Sequence, residues 1–432
     1  IWARTVKSPN PAFSHVDVPL ASTFMLSTKK GKEAYVEPVI EGESYRFEVK
    51  AGKPENFEEV KKGTTAGKRK AFLCLFSDSP IGYDHIRREG KAGRMGSKLM
   101  SLVAEGDRNR IYLSPTVEME EIAHKAKPYW KPQTSLPVNP RDFKTPNYGL
   151  NSFADLFTPR QLVALTTFSD LVKEARDKVI SDAKRIGWVD DGFGLDDGGL
   201  VATAYGDAVA VYLGLVSNKV ADYWSSICTW HSSKEIIRNT FGRQAIPMTW
   251  DYSEANPFCS SSGNWIAMVD WTSKATKNFL INNQSFSFQA DVGSQNVSKN
   301  KIISIDPPYY DNIGYADLSV FFYVWLRKSL APLFKTLFST ISVPKSEELV
   351  ATPYRHGNKQ KAEAFFLNGM TNAVQNIAGQ AHQNFPVTIY YAFKQSENND
   401  GNGTSNIGWE KFLDAVILAN STFGLVDCNL KH

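Results

Sequence analysis

The sequence predicts an α/β protein with a small β-rich unit at its beginning, and three patterns lead to this assignment. Apolar and polar residues alternate in Ala34 to Ile40 and in Ser44 to Val49, which is the spacing of half-buried strands. Apolar residues recur at three- and four-residue intervals from Phe168 to Ile186, as on an amphipathic helix. Two short apolar runs, Lys301 to Ile305 and Pro386 to Phe393, then have the length and composition of sheet strands.

The chain divides into four segments by composition. Residues 1–127 carry the alternating pattern, and Glu41-Gly42-Glu43 between the first two strands predicts a hairpin. Residues 128–150 hold five spaced prolines and are predicted to be a linker. Residues 151–299 are predicted to be a helical, target-side region, and residues 300–432 to contain the catalytic sheet.

Local signals place the main helices. Thr158 followed by Pro159 is typical of a helix start, because threonine caps the first amides and proline fits the first turn. The stretch Leu200 to Trp224 is apolar on more than one side and predicts an interior helix. Leu318 to Leu330 and Trp409 to Ala419 are further predicted helices, and Leu425 to Cys428 begins a predicted strand.

Composition limits the classes of function. A chain of 432 residues with 42% hydrophobic residues can bury substantial cores, and we expect two units. The net charge is only +4, so any contact with nucleic acid must be local. The sequence contains no apolar run long enough to span a membrane and no lipidation motif, and the four cysteines are isolated. These features lead us to expect a cytoplasmic protein without membrane contact.

The motif Asp306-Pro307-Pro308-Tyr309 is the most informative part of the chain. It follows directly after the predicted strand Lys301 to Ile305, at the carboxyl end of that strand. Ligands of open parallel sheets bind at this edge. The position therefore predicts that the motif contributes to a binding or catalytic site.

These residue types suit chemistry on an exocyclic amino group of a nucleic-acid base. An aromatic amine is a poor nucleophile, so its site must accept hydrogen bonds as the nitrogen becomes tetrahedral. Asp306 offers a carboxylate, and Pro307 and Pro308 offer carbonyls without competing amide donors. Tyr309 offers a ring on which a flipped base can stack, worth roughly 1–3 kcal/mol. The motif thus predicts methyl transfer, with Tyr310 and Asn312 as further substrate contacts.

Two other interpretations of the motif compete with catalysis. Pro307 to Tyr310 also has the form of a Pro-Pro-x-Tyr ligand for WW modules, which normally lies in an exposed disordered segment. The motif is alternatively a plain turn that ends a strand. Its place between an apolar strand and an apolar helix favours the catalytic interpretation over both.

Two groups of basic residues are candidates for contact with the nucleic-acid backbone. Each group lies among glycines, where the backbone can approach phosphates closely, and a solvated loop surface is the alternative for both. The first group contains Lys61, Lys62, Lys68, Arg69 and Lys70, and the second contains Arg87, Arg88, Lys91, Arg94 and Lys98.

Several stretches of the chain resemble a known family. They are Asp306 to Ser319, Phe322 to Arg327, Gly90 to Gly96, Gln161 to Val172, Trp250 to Tyr252 with Glu254 to Phe258, Ser262 to Trp265, and Tyr390 to Ser396. Together they resemble the zinc-ribbon-containing adenine-specific DNA methylases of bacteria and archaea, large proteins that often accompany phage-defence genes. The likeness covers almost the whole chain.

The resemblance implies a Rossmann-like methyltransferase sheet, incomplete in this chain, with a helical insertion and a preceding ribbon-like module. It implies transfer of a methyl group from S-adenosylmethionine to adenine in double-stranded DNA, with Asp306 to Tyr309 as the catalytic loop and a role in restriction or phage defence. Cytosine is the alternative target, because the same chemistry serves its amino group.

The chain departs from that family in two respects. No strand is followed by a glycine loop for the cofactor, since the run Asp190 to Gly199 is acidic and lies between two predicted helices. We therefore expect an interior fragment or one partner of a split enzyme, and a non-catalytic nucleic-acid-binding or interaction subunit is the alternative. The ribbon's cysteine positions hold Ser8, Phe13, Cys74 and Ser77, so we expect a degenerate ribbon without zinc.

Overall fold

The chain folds as a mixed α/β protein with several small sheets. The computed structural model describes residues 1–67, 71–107, 109–279, 285–311, 313–391 and 407–419. These residues form two compact units: unit 1 is Ile1–Phe279 with Val320–Ser342, and unit 2 is Leu280–Ser319 with Val343–His432. The four segments inferred from composition stay a prediction.

Most of the strands belong to unit 1. They are β1 (Trp2–Lys7), β2 (Asp17–Leu20), β3 (Met25–Ser27), β4 (Ala34–Glu41), β5 (Ser44–Ala51), β6 (Phe72–Leu73), β7 (Pro80–Ile81), β8 (Gly96–Leu99), β9 (Leu102–Glu105), β10 (Arg110–Leu113), β11 (Thr229–His231), β12 (Ile236–Arg238) and β13 (Asp251–Tyr252). The strands β14 (Ser304–Ile305) and β15 (Thr388–Ile389) belong to unit 2.

The helices follow in chain order. They are α1 (Phe57–Lys62), α2 (Tyr83–Lys91), α3 (Val117–His124), α4 (Pro159–Arg185), α5 (Ala202–Ala221), α6 (Trp265–Thr276), α7 (Tyr315–Leu330), α8 (Pro353–His356), α9 (Lys359–Gln380) and α10 (Ile407–Leu418). None of the helices in the described ranges is both long enough and apolar enough to cross a lipid bilayer.

The strand β1 organises the main sheet of unit 1. One of its edges pairs with β8, and the other pairs with β13 at Trp2 and Ala3 and with β2 from Arg4 to Lys7, all antiparallel. The hairpin of β4 and β5 forms as predicted, and Gly42 in its turn has a φ of 62°, which glycine adopts without strain. Buried side chains from β1, β2 and β5 share one apolar core.

The helices α4 and α5 form as the sequence predicts. Thr158 accepts a hydrogen bond from the Gln161 amide, and the Gln161 side chain accepts one from the Thr158 amide, which is a complete capping box. The two helices are joined by an ion pair between Arg176 and the buried Asp207. This pair holds the helices together at the end where the loop between them begins.

Unit 1 also includes Val320–Ser342, a segment that lies between the two parts of unit 2 in the chain. The ring of Phe321 stacks on Phe157 at 5.4 Å between centroids, and the Trp325 ring lies 5.7 Å from that of Trp130. Lys328 forms an ion pair with Asp170 at 2.6 Å. The core of unit 1 is therefore completed by residues that follow the first part of unit 2 in the chain.

In unit 2, β14 pairs with β15 in parallel, with Ile305 opposite Ile389. The predicted strand Lys301 to Ile305 is shorter than expected, since only its last two residues lie in β14. Just before this strand Ile303 is buried whereas Ile302 is 66% exposed, and β14 has one strand partner within the described part of the chain. The predicted helix Trp409 to Ala419 is α10, and Leu425 to Cys428 lies outside the described residues.

We predict that Thr158→Ala destabilises unit 1 by about 1 kcal/mol, because the substitution removes the side-chain cap of α4. Urea-induced unfolding followed by circular dichroism measures the change. The matched control is Thr167→Ala on the exposed face of the same helix, where alanine has the higher helix propensity. Equal unfolding midpoints for the two variants would contradict the assigned role of the cap.

Candidate functional site

The loop Asp306 to Tyr309 follows β14 directly. The Asp306 side chain is exposed, and its Oδ1 accepts a hydrogen bond of 2.8 Å from the hydroxyl of Tyr309. Within the described ranges its Oδ2 accepts none. The loop is therefore closed on itself by one carboxylate oxygen, and the other accepts no hydrogen bond from the described residues.

The two prolines between them are half-buried. Proline has no amide proton, so Pro307 and Pro308 present only carbonyl oxygens to their surroundings. Neither carbonyl accepts a backbone hydrogen bond from the residues that the structure describes. The loop thus combines a carboxylate oxygen and two carbonyls that accept no hydrogen bond from the backbone amides of the described residues.

Tyr310 belongs to the core of unit 2. Its carbonyl accepts a hydrogen bond of 2.6 Å from the Ala351 amide, and its ring meets Phe366 edge-on at 5.2 Å. Burial and a hydrogen bond to Glu363 raise the pKa of Tyr310, so its hydroxyl stays protonated. A WW module would have to bind this tyrosine, and its burial argues against a Pro-Pro-x-Tyr ligand. The substrate contact predicted for Tyr310 stays a prediction, and Asn312 lies outside the described residues.

Tyr391, which follows β15, contacts both Tyr309 of the loop and the neighbouring Tyr310. Its hydroxyl accepts a hydrogen bond of 3.1 Å from the Tyr310 amide and donates one of 3.3 Å to the Gly408 carbonyl. Its ring stacks on Phe412 at 4.2 Å and meets Tyr309 edge-on at 5.3 Å. Sequence analysis did not assign this role to Tyr391. The signal was available, because the carboxyl ends of parallel neighbours such as β14 and β15 lie at one edge.

A buried ion network supports the helix that follows the loop. Arg355 lies 3.0 Å from Asp317 and 2.6 Å from Glu348, and all three side chains are largely buried. The Glu348 carboxylate also accepts a hydrogen bond of 2.9 Å from the Ala316 amide, so it caps the first turn of α7. Burial lowers the pKa of Arg355, but the hydrogen bonds to Glu348 and Asp317 outweigh it and raise the pKa overall. Sequence analysis missed this network, because its members lie far apart in the chain.

The basic residues on and after α2 differ in what they contact. Arg87 pairs with Asp84 at 2.9 Å, and Arg94 forms two hydrogen bonds with the buried carboxylate of Glu89. The remaining two candidates, Arg88 and Lys91, are exposed and join no ion pair with the described part of the chain. Arg88 and Lys91 are therefore exposed without an ion-pair partner among the described residues, whereas Arg87 and Arg94 are paired with acidic residues of unit 1.

Two further residues of the two basic groups, Lys61 and Lys98, also lie beside acidic side chains. Lys98 lies 3.4 Å from Glu120, and Lys61 lies 4.0 Å from Glu58. Lys68, Arg69 and Lys70 lie outside the described residues. The exposed pair of Lys61 contributes about 0–1 kcal/mol, so it does not prevent this lysine from turning to a phosphate.

Ser8, Cys74 and Ser77, three of the positions predicted above to correspond to ribbon cysteines, lie close together. The Cys74 Sγ is 3.3 Å from the Ser8 Oγ, and both side chains are buried. Burial raises the pKa of Cys74, but hydrogen bonds from Ser77 and Ser8 outweigh it and lower the pKa. Phe13 stacks on Phe76 at 5.4 Å. No cluster of three or more metal-ligating side chains occurs in the described ranges.

Comparisons with known proteins identified no relative of this chain. No family model and no curated protein matches the sequence, and no solved structure matches the fold. The resemblance to the adenine-specific methylases therefore rests on the motifs described above.

We predict that Tyr391→Phe destabilises unit 2 by about 1–3 kcal/mol, because it leaves the Tyr310 amide without its acceptor. Hydrogen exchange of the Tyr310 amide should become faster, while the ring stack on Phe412 is kept. The control is Tyr390→Phe, since the neighbouring Tyr390 is 63% exposed. Exchange rates that are the same in both variants would show that the hydroxyl does not hold the loop.

We also predict that the purified chain holds much less than one zinc ion. Tetrahedral zinc needs four good ligands, and Cys74 has Ser8 and Ser77 beside it where the ribbon would have thiolates. Elemental analysis of protein prepared without added metal gives the stoichiometry. One zinc ion per chain would contradict the prediction.

Proposed function

We propose that this protein is an S-adenosylmethionine-dependent DNA methyltransferase that methylates the exocyclic amino nitrogen of adenine. The observation that carries the proposal is the loop Asp306 to Tyr309 at the carboxyl end of β14, with an exposed carboxylate and a tyrosine beside it. The parallel pair of β14 and β15 is, in this proposal, part of a Rossmann-like sheet.

The loop residues have distinct tasks in this reaction. The Asp306 Oδ2 and the Pro307 carbonyl accept hydrogen bonds from the amine, which frees the nitrogen lone pair for attack. Pro308 keeps the backbone in the shape that directs these acceptors. The ring of Tyr309 stacks on the flipped base, and its hydroxyl holds Asp306 in place at 2.8 Å.

The cofactor, when bound, supplies an electrophilic methyl group. The glycine-rich run Asp190 to Gly199 does not fit it, because the run connects α4 to α5 and carries four aspartates. The buried Asp207 accepts the Leu195 amide, so this amide is not available to a ligand. We therefore assign no cofactor contact to the described residues and propose that another part of the protein or a partner subunit supplies the cofactor loop.

Double-stranded DNA is the proposed partner, and adenine is preferred over cytosine because of the family resemblance. Phosphate contacts carry most of the affinity of such complexes, and Arg88 and Lys91 are the exposed cations of α2 that suit this role. Arg87 joins them by exchanging its exposed ion pair with Asp84 for a phosphate, at a cost of about 1 kcal/mol or less. Arg94 keeps its two hydrogen bonds to the buried Glu89 and offers its remaining donors to a phosphate.

We predict that Asp306→Ala removes nearly all methyl transfer in the full reading frame that contains this chain. The carboxylate acts on the amine in the transition state, whereas phosphate contacts determine affinity, so duplex binding should stay close to that of the wild type. Tyr309→Ala should reduce methyl transfer less than Asp306→Ala does, because it removes only the stacking of the base, worth about 1–3 kcal/mol. Tyr309→Phe keeps the ring and should keep measurable activity. Transfer of tritiated methyl groups to DNA is the assay.

Thermal unfolding and salt-dependent DNA binding are measured beside the assay for every variant. Glu347→Ala is the matched control, because Glu347 is an exposed carboxylate of the same unit outside the loop. Near wild-type methylation by Asp306→Ala would exclude the loop as the active site. Binding of DNA without methylation by the full wild-type frame would instead favour a non-catalytic nucleic-acid-binding subunit.

A further inference from the structure

The loop between α4 and α5, residues 186–201, exposes an unusual number of large apolar side chains. Leu200 is 90% exposed and Val189 is 74% exposed. The apolar residues of the loop that are exposed are Ile186, Trp188, Val189, Phe193, Leu195 and Leu200. Single exposed apolar residues need no explanation, but a group within one loop marks an interaction site.

The backbone of this loop is held by its own hydrogen bonds. The Asp190 carboxylate accepts the amides of Gly192 and Thr203 at 3.3 and 3.2 Å. Asp207 accepts the Leu195 amide at 2.9 Å, and the Arg176 ion pair fixes this aspartate. A preorganised loop loses less conformational entropy on binding, so its exposed apolar groups are ready for a partner.

Glycine is required where the loop folds back on itself. A side chain at Gly199 would place its Cβ 2.2 Å from the Phe193 carbonyl oxygen. The close approach brings the two ends of the run Phe193 to Gly199 together. The loop thus has a defined backbone conformation that keeps Phe193, Leu195 and Leu200 outside the core of unit 1.

The loop is also strongly acidic. It contains four aspartates and no lysine or arginine, in a chain whose net charge is +4. Lys184 beside the loop pairs with Asp190, and this hydrogen bond holds the pKa of Asp190 far below its usual range. Asp191, Asp196 and Asp197 are exposed among the apolar side chains. This combination of charge and hydrophobicity determines which partner the surface fits.

We propose that the loop 186–201 docks a basic amphipathic segment of a partner protein. Apolar residues of the segment cover Val189, Phe193 and Leu200, and its lysines or arginines face the three exposed aspartates. Amphipathic segments bind apolar surfaces through one face, and complementary charge selects the partner and speeds its association. The proposal does not depend on the methyltransferase function.

Nucleic acids and anionic membranes do not fit this surface. Both carry dense negative charge, which the three exposed aspartates Asp191, Asp196 and Asp197 repel. The DNA proposed as substrate therefore contacts other parts of the protein. The acidic charge also disfavours self-association through two copies of this loop, because like charges would then face each other.

The probe is a synthetic peptide of about 18 residues, five helical turns, with leucine on one face and lysine on the other. Its affinity for the full chain is measured by fluorescence anisotropy at low and high salt. A second peptide has glutamate in place of every lysine. The loop variants are Val189→Ser with Leu200→Ser, and Asp196→Asn with Asp197→Asn.

Matched controls carry the same changes elsewhere. Ile122→Ser with Val138→Ser removes two exposed apolar side chains, and Glu58→Gln with Glu59→Gln removes two exposed charges of α1. We expect each loop variant to bind the lysine peptide about tenfold more weakly or worse, with the controls within about twofold of the wild type. High salt should weaken the binding of the wild type towards that of the charge variant.

Three outcomes would overturn the proposal. The first is that the wild type does not bind the lysine peptide or binds the glutamate peptide equally well. The second is that the controls lose as much affinity as the loop variants. The third is that sedimentation shows a dimer of the wild type that the Val189→Ser, Leu200→Ser variant turns into a monomer, because the occupant would then be a second copy of this chain.

Discussion

The parallel pairing of β14 with β15 is the constraint on which the candidate active site depends. With Ile305 opposite Ile389, the residues that follow the two strands emerge at the same edge. Asp306 to Tyr309 and Tyr391 therefore meet, although they lie about eighty positions apart. Two residues of strand on each side suffice for this, because the Tyr391 hydroxyl then ties the loop to the start of α10.

The sequence allowed the local elements to be predicted well. The hairpin of β4 and β5, the capped start of α4 and the positions of α5, α7 and α10 were all read from alternation, capping residues and helical spacing. The loop after β14 was located because its strand and its proline pair are local signals. The Rossmann-like sheet, the family and the activity stay proposals.

What the sequence did not reveal depends on distant partners. The Tyr391 hydroxyl fits the Tyr310 amide, and Glu348 caps the helix near Asp317, only because tertiary packing brings them together. No periodic pattern encodes such contacts. The same holds for the basic group on and after α2, where the sequence shows the cations but only the fold shows that Arg87 and Arg94 have acidic partners.

The segment Val320–Ser342 has a consequence for the order in which the chain folds. Its aromatic residues complete the core around Phe157 and Trp130, so unit 1 needs residues made after the first part of unit 2. A ribosome adds about 5–20 residues per second, so the amino-terminal part waits seconds to tens of seconds with that face open. During this time the uncovered apolar face can form non-native contacts. In a chain truncated at residue 279 this face stays uncovered, because Val320–Ser342 is missing.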